Sequence, residues 1–319
     1  MTAQYTVTSE QRGQVEVFAL RQDDATEVVI VPAWGNNCVR FQAQQPVLEA
    51  ITFEALAQRP TSYGIPILFP FPNRLRDGAF TFQGQRYVLD PPRHGFVRDK
   101  PWQVLGTGAT AQEGAWISSR CEAMQYAEQI LRQFPFPFRL DVTYRLHNHT
   151  LSMETVAYNT GDRDMPMGFG IHPYFRRPLR GMLHVPARQY WELVDSLPTG
   201  RRLDVTDMYD LRQPRDVSSL TLDDIFTDLM ADADGMVRCT LEDHQHGVQT
   251  IVAFDAAQFP HVVVFTPPLP RQAICIEPYT CPTDAFNLQQ HGVESNLIRL
   301  QPGATRRFQI SIGIRSMSL

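Results

Sequence analysis

Four short segments combine ionisable side chains with residues that build loops. They are Pro72-Asn-Arg-Leu-Arg-Asp-Gly78, Arg93-His-Gly-Phe-Val-Arg98, Gly168-Phe-Gly-Ile-His-Pro-Tyr-Phe175 and Ile274-Cys-Ile-Glu-Pro-Tyr-Thr280. In the last two, His172 and Glu277 each stand directly before a proline, which biases their backbones toward an extended conformation. Glu277 ends an apolar run that reads as a buried strand. A carboxylate there is desolvated unless something pairs with it, and such surroundings suit a general acid or base. Each residue also has a plainer reading. His172 can be a hydrogen-bonded structural histidine, and Glu277 can cap a turn or pair with Arg271. Arg74 and Arg76 can form a solvated loop face, and His94 before Gly95 can be turn chemistry.

The elements that would position these residues are strands. Short alternating segments rich in Val, Ile, Phe, Tyr and Thr recur along the chain, bounded by Gly, Pro, Asn or Asp, the pattern of strands and turns. The spacing predicts hairpins over 78–89 turning near Gly84, over Phe138–Leu146 and Thr150–Asn159, over Val237–Glu242 and Val248–Phe254, and over Leu297–Leu300 and Arg307–Ile314. Only a few segments could be helical, the best being Ala123–Gln133, where Met124, Ile130 and Leu131 partly follow helical spacing before Pro135 stops it. Strands do not alternate with helices, so a doubly wound parallel sheet is excluded. Phe69-Pro-Phe-Pro-Asn-Arg74 and Gln133-Phe-Pro-Phe-Pro-Phe138 are expected as ordered loops over one face of the sheet, because proline fits edges and loops. No linker or repeat divides residues 1–319. The expectation is an all-β chain, one large antiparallel β-sandwich domain.

Taken in order, these segments resemble the aldose 1-epimerase, or galactose mutarotase-like, family. The matching pieces are Asn73-Arg74 followed by the hairpin to Leu89, His94-Gly-Phe96, Gly170-x-His-Pro-Tyr-Phe175, Asp223-x-x-Phe226, Glu277-Pro-x-Thr280 and Leu300-x-Pro-Gly303, spanning nearly the whole chain. The resemblance implies a galactose mutarotase-like sandwich acting on an aldose. It implies Glu277 as general base, His172 as general acid, His94 as a second active-site histidine, and Arg74 and Asp223 as hydroxyl binders. Asp224 competes with Asp223, which keeps the offset to Phe226. Mutarotation needs the anomeric hydroxyl deprotonated while the ring oxygen is protonated. A carboxylate and an imidazolium do this without metal or nucleotide, each contributing about 10²–10⁴-fold, so no cofactor is expected. Phe96, Phe169, Tyr174 and Tyr279 can cover a pyranose or pack in the core. The short connection Asp90-Pro-Pro-Arg93 departs from galactose-acting members, and Arg98 is similar to arginines of sugar-phosphate members. A hexose-6-phosphate 1-epimerase and a non-catalytic carbohydrate-binding protein are the alternatives.

Composition excludes other classes. A net charge of −5 gives no basic surplus for a nucleic-acid partner. No apolar run approaches the roughly 20 residues that cross a bilayer. The polar first residues lack a signal-peptide pattern. Five scattered cysteines read as free thiols of a reducing compartment. The expectation is a cytoplasmic monomer or homodimer with a small-molecule aldose as partner. His147/His149 and His244/His246 lie at turns with no completing ligands, and the aspartates 223–234 do not follow a calcium-loop spacing, so no metal is expected.

Overall fold

The computed structural model describes residues 3–317. A nine-stranded and an eight-stranded antiparallel sheet face each other, with a four-stranded sheet formed by residues 5–42. The inward residues of both large sheets share one core: Val252, Phe308 and Ile312 from the first, Phe226, Val264 and Ile276 from the second. This is the large antiparallel β-sandwich that the alternation predicts. Phe138–His147 and Thr150–Asn159 alternate buried and half-buried residues along ten positions each, as expected of a sheet with one wet face.

Three hairpins form as expected. Phe138–His147 pairs with Thr150–Asn159 through a turn in which Asn148 and His149 both have positive φ, the geometry that matches strand twist. Ala79–Phe82 with Gln85–Val88 and Met236–Asp243 with Val248–Asp255 are the others. The fourth does not form. Ile298–Leu300 pairs with Met165–Met167, while Thr305–Ser316 lies between Thr150–Asn159 and Val248–Asp255. Asn159 explains the divergence. Its side chain donates to the Leu300 carbonyl, its carbonyl accepts from Gly303, and its N–H donates to Ala304. The turn keeps one bond of its own, from the Ala304 N–H to the Gln301 carbonyl, but Asn159 takes up the groups of Leu300, Gly303 and Ala304 that face it.

The helix expected over 123–133 is also absent. Only Ala123–Tyr126 winds as a single 3-10 turn, and the rest is a chain of irregular turns. The Gln133 amide exchanges two hydrogen bonds with the backbone of Asp90, and Phe134 and Phe136 are drawn into the core. These tertiary anchors outweigh a weak helical preference. The Pro-Phe loops bury their rings: Phe69 meets Phe138 edge-on, and Phe71 meets Phe96 and Phe286. They fill the core where a covering over the sheet face was expected.

One buried amide ties a loop to the sheet. Asn37 is 1% exposed, donates to the carbonyls of Pro60 and Tyr63, and accepts from the N–H of Ile65. The chain just beyond holds residues 172 and 174, because the carbonyls of Pro66 and Gly64 accept their N–H groups. Asn37→Ala leaves the Pro60 and Tyr63 carbonyls without partners, each costing about 1–3 kcal/mol, while the Ile65 N–H keeps its bond to the Cys38 carbonyl. The expected loss of stability is about 3 kcal/mol, read as a lowered denaturation midpoint at unchanged slope.

Candidate active site

The eight-stranded sheet has a second face, turned away from the main core, and strand register decides which residues reach it. Gly170 stands opposite Tyr279, and Tyr174 opposite Cys275. The same register, carried between them, sets His172 opposite Glu277. Side chains alternate along strands, so Cys275, Glu277 and Tyr279 share one face with Gly170, His172 and Tyr174. The alternate residues Ile274 and Ile276 enter the main core. Strand Ala273–Tyr279 is consequently buried at every position. The neighbouring chain breaks at His172-Pro173, between short strands Gly170–Ile171 and Tyr174–Arg176.

On this face His172 Nε2 lies 3.3 Å from Glu277 Oε1. Glu277 Oε2 accepts a 2.5 Å hydrogen bond from the Tyr279 hydroxyl. The Tyr279 ring occupies the space over Gly170, where a Cβ would come within 2.4 Å of the ring. Tyr174 stacks on the His172 ring at 4.4 Å. His94 meets His172 edge-on with ring centroids 5.5 Å apart. His94 arrives on a loop stitched to the Asn73-Arg74 segment: its N–H donates to the Asn73 carbonyl, and Leu75 N–H donates to Pro92. Both His94 and Gly95 have positive φ. Gly95 sits so close to the Phe69 carbonyl that a Cβ would meet it at 2.0 Å, so only glycine fits.

Burial sets the electrostatics. Glu277 is 1% exposed, and its carboxyl is held well above the usual carboxylate range by desolvation, which the Tyr279 hydrogen bond opposes and the Asp223 charge adds to. His172 is pushed down to about 3 by desolvation, with Arg98, Arg271 and Arg93 adding to it. His94 is lowered by burial, then by His172 and by Arg98, Arg93 and Arg74. The imidazolium expected at His172 is therefore not its resting form, because a buried ring among arginines sheds its charge. His94 Nδ1 and His172 Nδ1 are buried without hydrogen-bond partners.

The structure thus brings Glu277, His172 and His94 into contact range. Arg74 is half-buried, and Asp223 lies within electrostatic reach of Arg74 and Glu277. Register separates the two aspartates. Asp223 pairs with Phe265, which packs with Tyr174 and Cys275, whereas Asp224 pairs with Val264 of the main core. Glu277 does not pair with Arg271, which binds Glu49 instead and lies over the Tyr63 and Tyr174 rings. Of the four aromatics considered for a ligand, Phe169 stacks on Phe308 and Phe96 packs on Phe71. Tyr279 serves Glu277, a role legible from the two-residue spacing that places both on one side of a strand. The paired turn histidines have partners of their own. His149 contacts Thr26, and His244 and His246 contact Glu242 and Asp243. His147 stacks on Tyr5.

Comparison with known proteins gives this arrangement a context. The sequence profile of the family described as Aldose 1-epimerase matches residues 16–313. The uncharacterized protein YihR of Escherichia coli K12 is 27% identical over 271 residues, covering 80% of each chain. A galactose mutarotase-like protein from Clostridium acetobutylicum superposes with a TM-score of 0.87 at 21% identity, over 98% of this chain and 99% of that one. A galactose 1-epimerase from Lactobacillus acidophilus superposes at 0.79 with 15% identity, over 99% and 100%. The last two likenesses concern the fold.

The lowered His172 value has a direct check. Its imidazole becomes charged only as pH falls to about 3, so its ring resonances in histidine-labelled NMR spectra stay flat between pH 8 and 5. A midpoint near the ordinary value of about 6.5 would contradict the buried environment described.

Proposed function

The chain belongs to the aldose 1-epimerase family, and on that premise we propose that it interconverts the α and β anomers of a hexose at the Glu277–His172 pair. The observation that carries this reading is the 3.3 Å contact between a carboxyl and an imidazole on one face of a buried strand pair. A binding protein needs hydroxyl donors and aromatics but has no use for an opposed acid and base.

The chemistry follows from one shared proton. Burial favours the uncharged form of both groups, so the pair by itself holds that proton as a Glu277 carboxyl beside a neutral His172. A sugar entering the site brings polar hydroxyls to both groups. The reactive form, carboxylate and imidazolium, differs only by moving the proton across the contact. Glu277 then takes the proton of the C1 hydroxyl while His172 protonates the ring oxygen. The C1–O5 bond breaks, an aldehyde forms, the C1–C2 bond rotates, and ring closure on the other face returns both protons. His94 polarises the same region, and Arg74 and Asp223 hold hydroxyls. Tyr279 stabilises the carboxylate as it forms, so its hydrogen bond counts in the transition state more than in binding.

A specific observation favours a second reading, an aldose carrying a phosphate. Arg74, Arg93 and Arg98 all act on His94, and among the described residues none of them forms an ion pair with a carboxylate. Arginine forks suit phosphate oxygens. In that reading the same acid–base pair works on a hexose 6-phosphate.

Polarimetry with fresh α-D-glucose and α-D-galactose, and NMR of glucose 6-phosphate, test both readings. Wild type accelerates anomerisation, and Glu277→Gln loses about 10²–10⁴-fold. No acceleration of any aldose by folded protein would turn the reading to a binding protein. Tyr279→Phe removes a hydrogen bond to a charged group, worth about 1.5–3 kcal/mol. The expected result is a kcat lowered about 10- to 100-fold with KM little changed. If the substrate is phosphorylated, Arg98→Ala raises KM for glucose 6-phosphate and leaves glucose unaffected.

A further inference from the structure

Cys275 has no part in the proton transfers, yet it stands beside the groups that carry them. It alternates with Glu277 on one face of strand Ala273–Tyr279, and His172 faces that strand from the neighbouring chain. The donor atoms of His172, Cys275 and Glu277 all lie within 4.8 Å of one another, and all three residues are buried. The other free cysteines, Cys38, Cys121, Cys239 and Cys281, belong to no such group among the described residues.

We propose that Cys275, Glu277 and His172 form an inhibitory binding site for Zn²⁺, a reading that rests on the acid–base assignment above. The donor set is one thiolate, one imidazole and one carboxylate, the kind that selects zinc over magnesium or calcium. Zinc takes imidazole nitrogen and carboxylate oxygen at about 2.0–2.2 Å in tetrahedral geometry, which separates those two donors by about 3.3 Å. Their present separation is 3.3 Å. Tyr279 bonds Oε2 and leaves Oε1 toward His172, as an outer partner that orients a ligating carboxylate does. Tyr174 and Phe265 wall the histidine, so the ring has little freedom to lose. Binding releases the Cys275 thiol proton and the Glu277 carboxyl proton to solvent, and the metal blocks both the carboxylate oxygen and the imidazole nitrogen that anomerisation needs. Zinc and sugar therefore exclude one another.

The test uses chelator-treated, metal-free protein. Isothermal titration with Zn²⁺ gives one site per chain, and Co²⁺ gives a near-ultraviolet sulfur-to-cobalt band. Cys275→Ser abolishes the band, and His172→Gln weakens binding at least about tenfold although the thiol remains. In the anomerisation assay Zn²⁺ inhibits wild type competitively with the aldose, while Mg²⁺ does not. Cys275→Ala anomerises like wild type without metal and needs at least about tenfold more Zn²⁺ for inhibition. Absence of the sulfur band, equal zinc binding by Cys275→Ser, or equal inhibition of Cys275→Ala overturns the site. One Zn²⁺ bound through Cys275 in a protein that anomerises no aldose overturns the function and leaves the metal site standing.

Discussion

A carboxyl group on a strand buried from both sides is the constraint around which the site is organised. Strand Ala273–Tyr279 presents Ile274 and Ile276 to the main core and Cys275, Glu277 and Tyr279 to the opposite face, and every position is buried. An isolated ionised carboxylate there is costly. The structure answers with a tyrosine hydroxyl on one oxygen and an imidazole beside the other. Glycine at position 170 leaves the volume that the tyrosine ring needs. The same burial that makes the ionised carboxyl expensive holds its pKa well above the usual carboxylate range.

The surrounding architecture delivers partners to that carboxyl from distant parts of the chain. Residues 64–68 fix the backbone of His172 and Tyr174 through hydrogen bonds from their N–H groups, and Asn37 fixes residues 60–65 in turn. The loops bearing Arg74 and His94 are sewn to each other before they reach the site. Asp284 accepts from the Arg76 N–H and donates its own to Arg74, which ties this loop pair to the stretch following Glu277. Arg74, Arg93 and Arg98 then crowd the histidines with no ion-pair partner among the described residues, so the site is cationic at its rim while burial favours uncharged groups at its centre.

Two expectations failed for a shared reason. Residues 297–314 carry two alternating segments around a Pro-Gly turn, and residues 123–133 carry partial helical spacing. In each case a side chain makes long-range backbone contacts in place of a local element: Asn159 takes up the backbone of 300–304, and Gln133, the last residue of the expected helix, anchors the segment to the backbone of Asp90. Local pattern is a weak prior when a buried polar group needs partners. The Pro-Phe segments went the same way: five buried rings, those of Phe69, Phe71, Phe134 and Phe136 from the loops and Phe138 from the strand that follows, put them in the core.

What the amino-acid sequence determined by itself is what depends on neighbours along the chain. Period-two alternation decided the all-β class and three hairpins, because side-chain direction on a strand is set by parity. The residues before proline in His172-Pro173 and Glu277-Pro278, together with the ordered motifs, singled out the acid–base candidates. Parity also held the clue to Tyr279, two positions from Glu277. What only the tertiary structure decided depends on which strands lie side by side. Register set His172 opposite Glu277 and placed Asp223, not Asp224, on their face. Burial then chose the resting charge of both groups, and packing brought Cys275 within reach of them. Those are properties of three-dimensional proximity and desolvation, which a linear chain does not carry until it has folded.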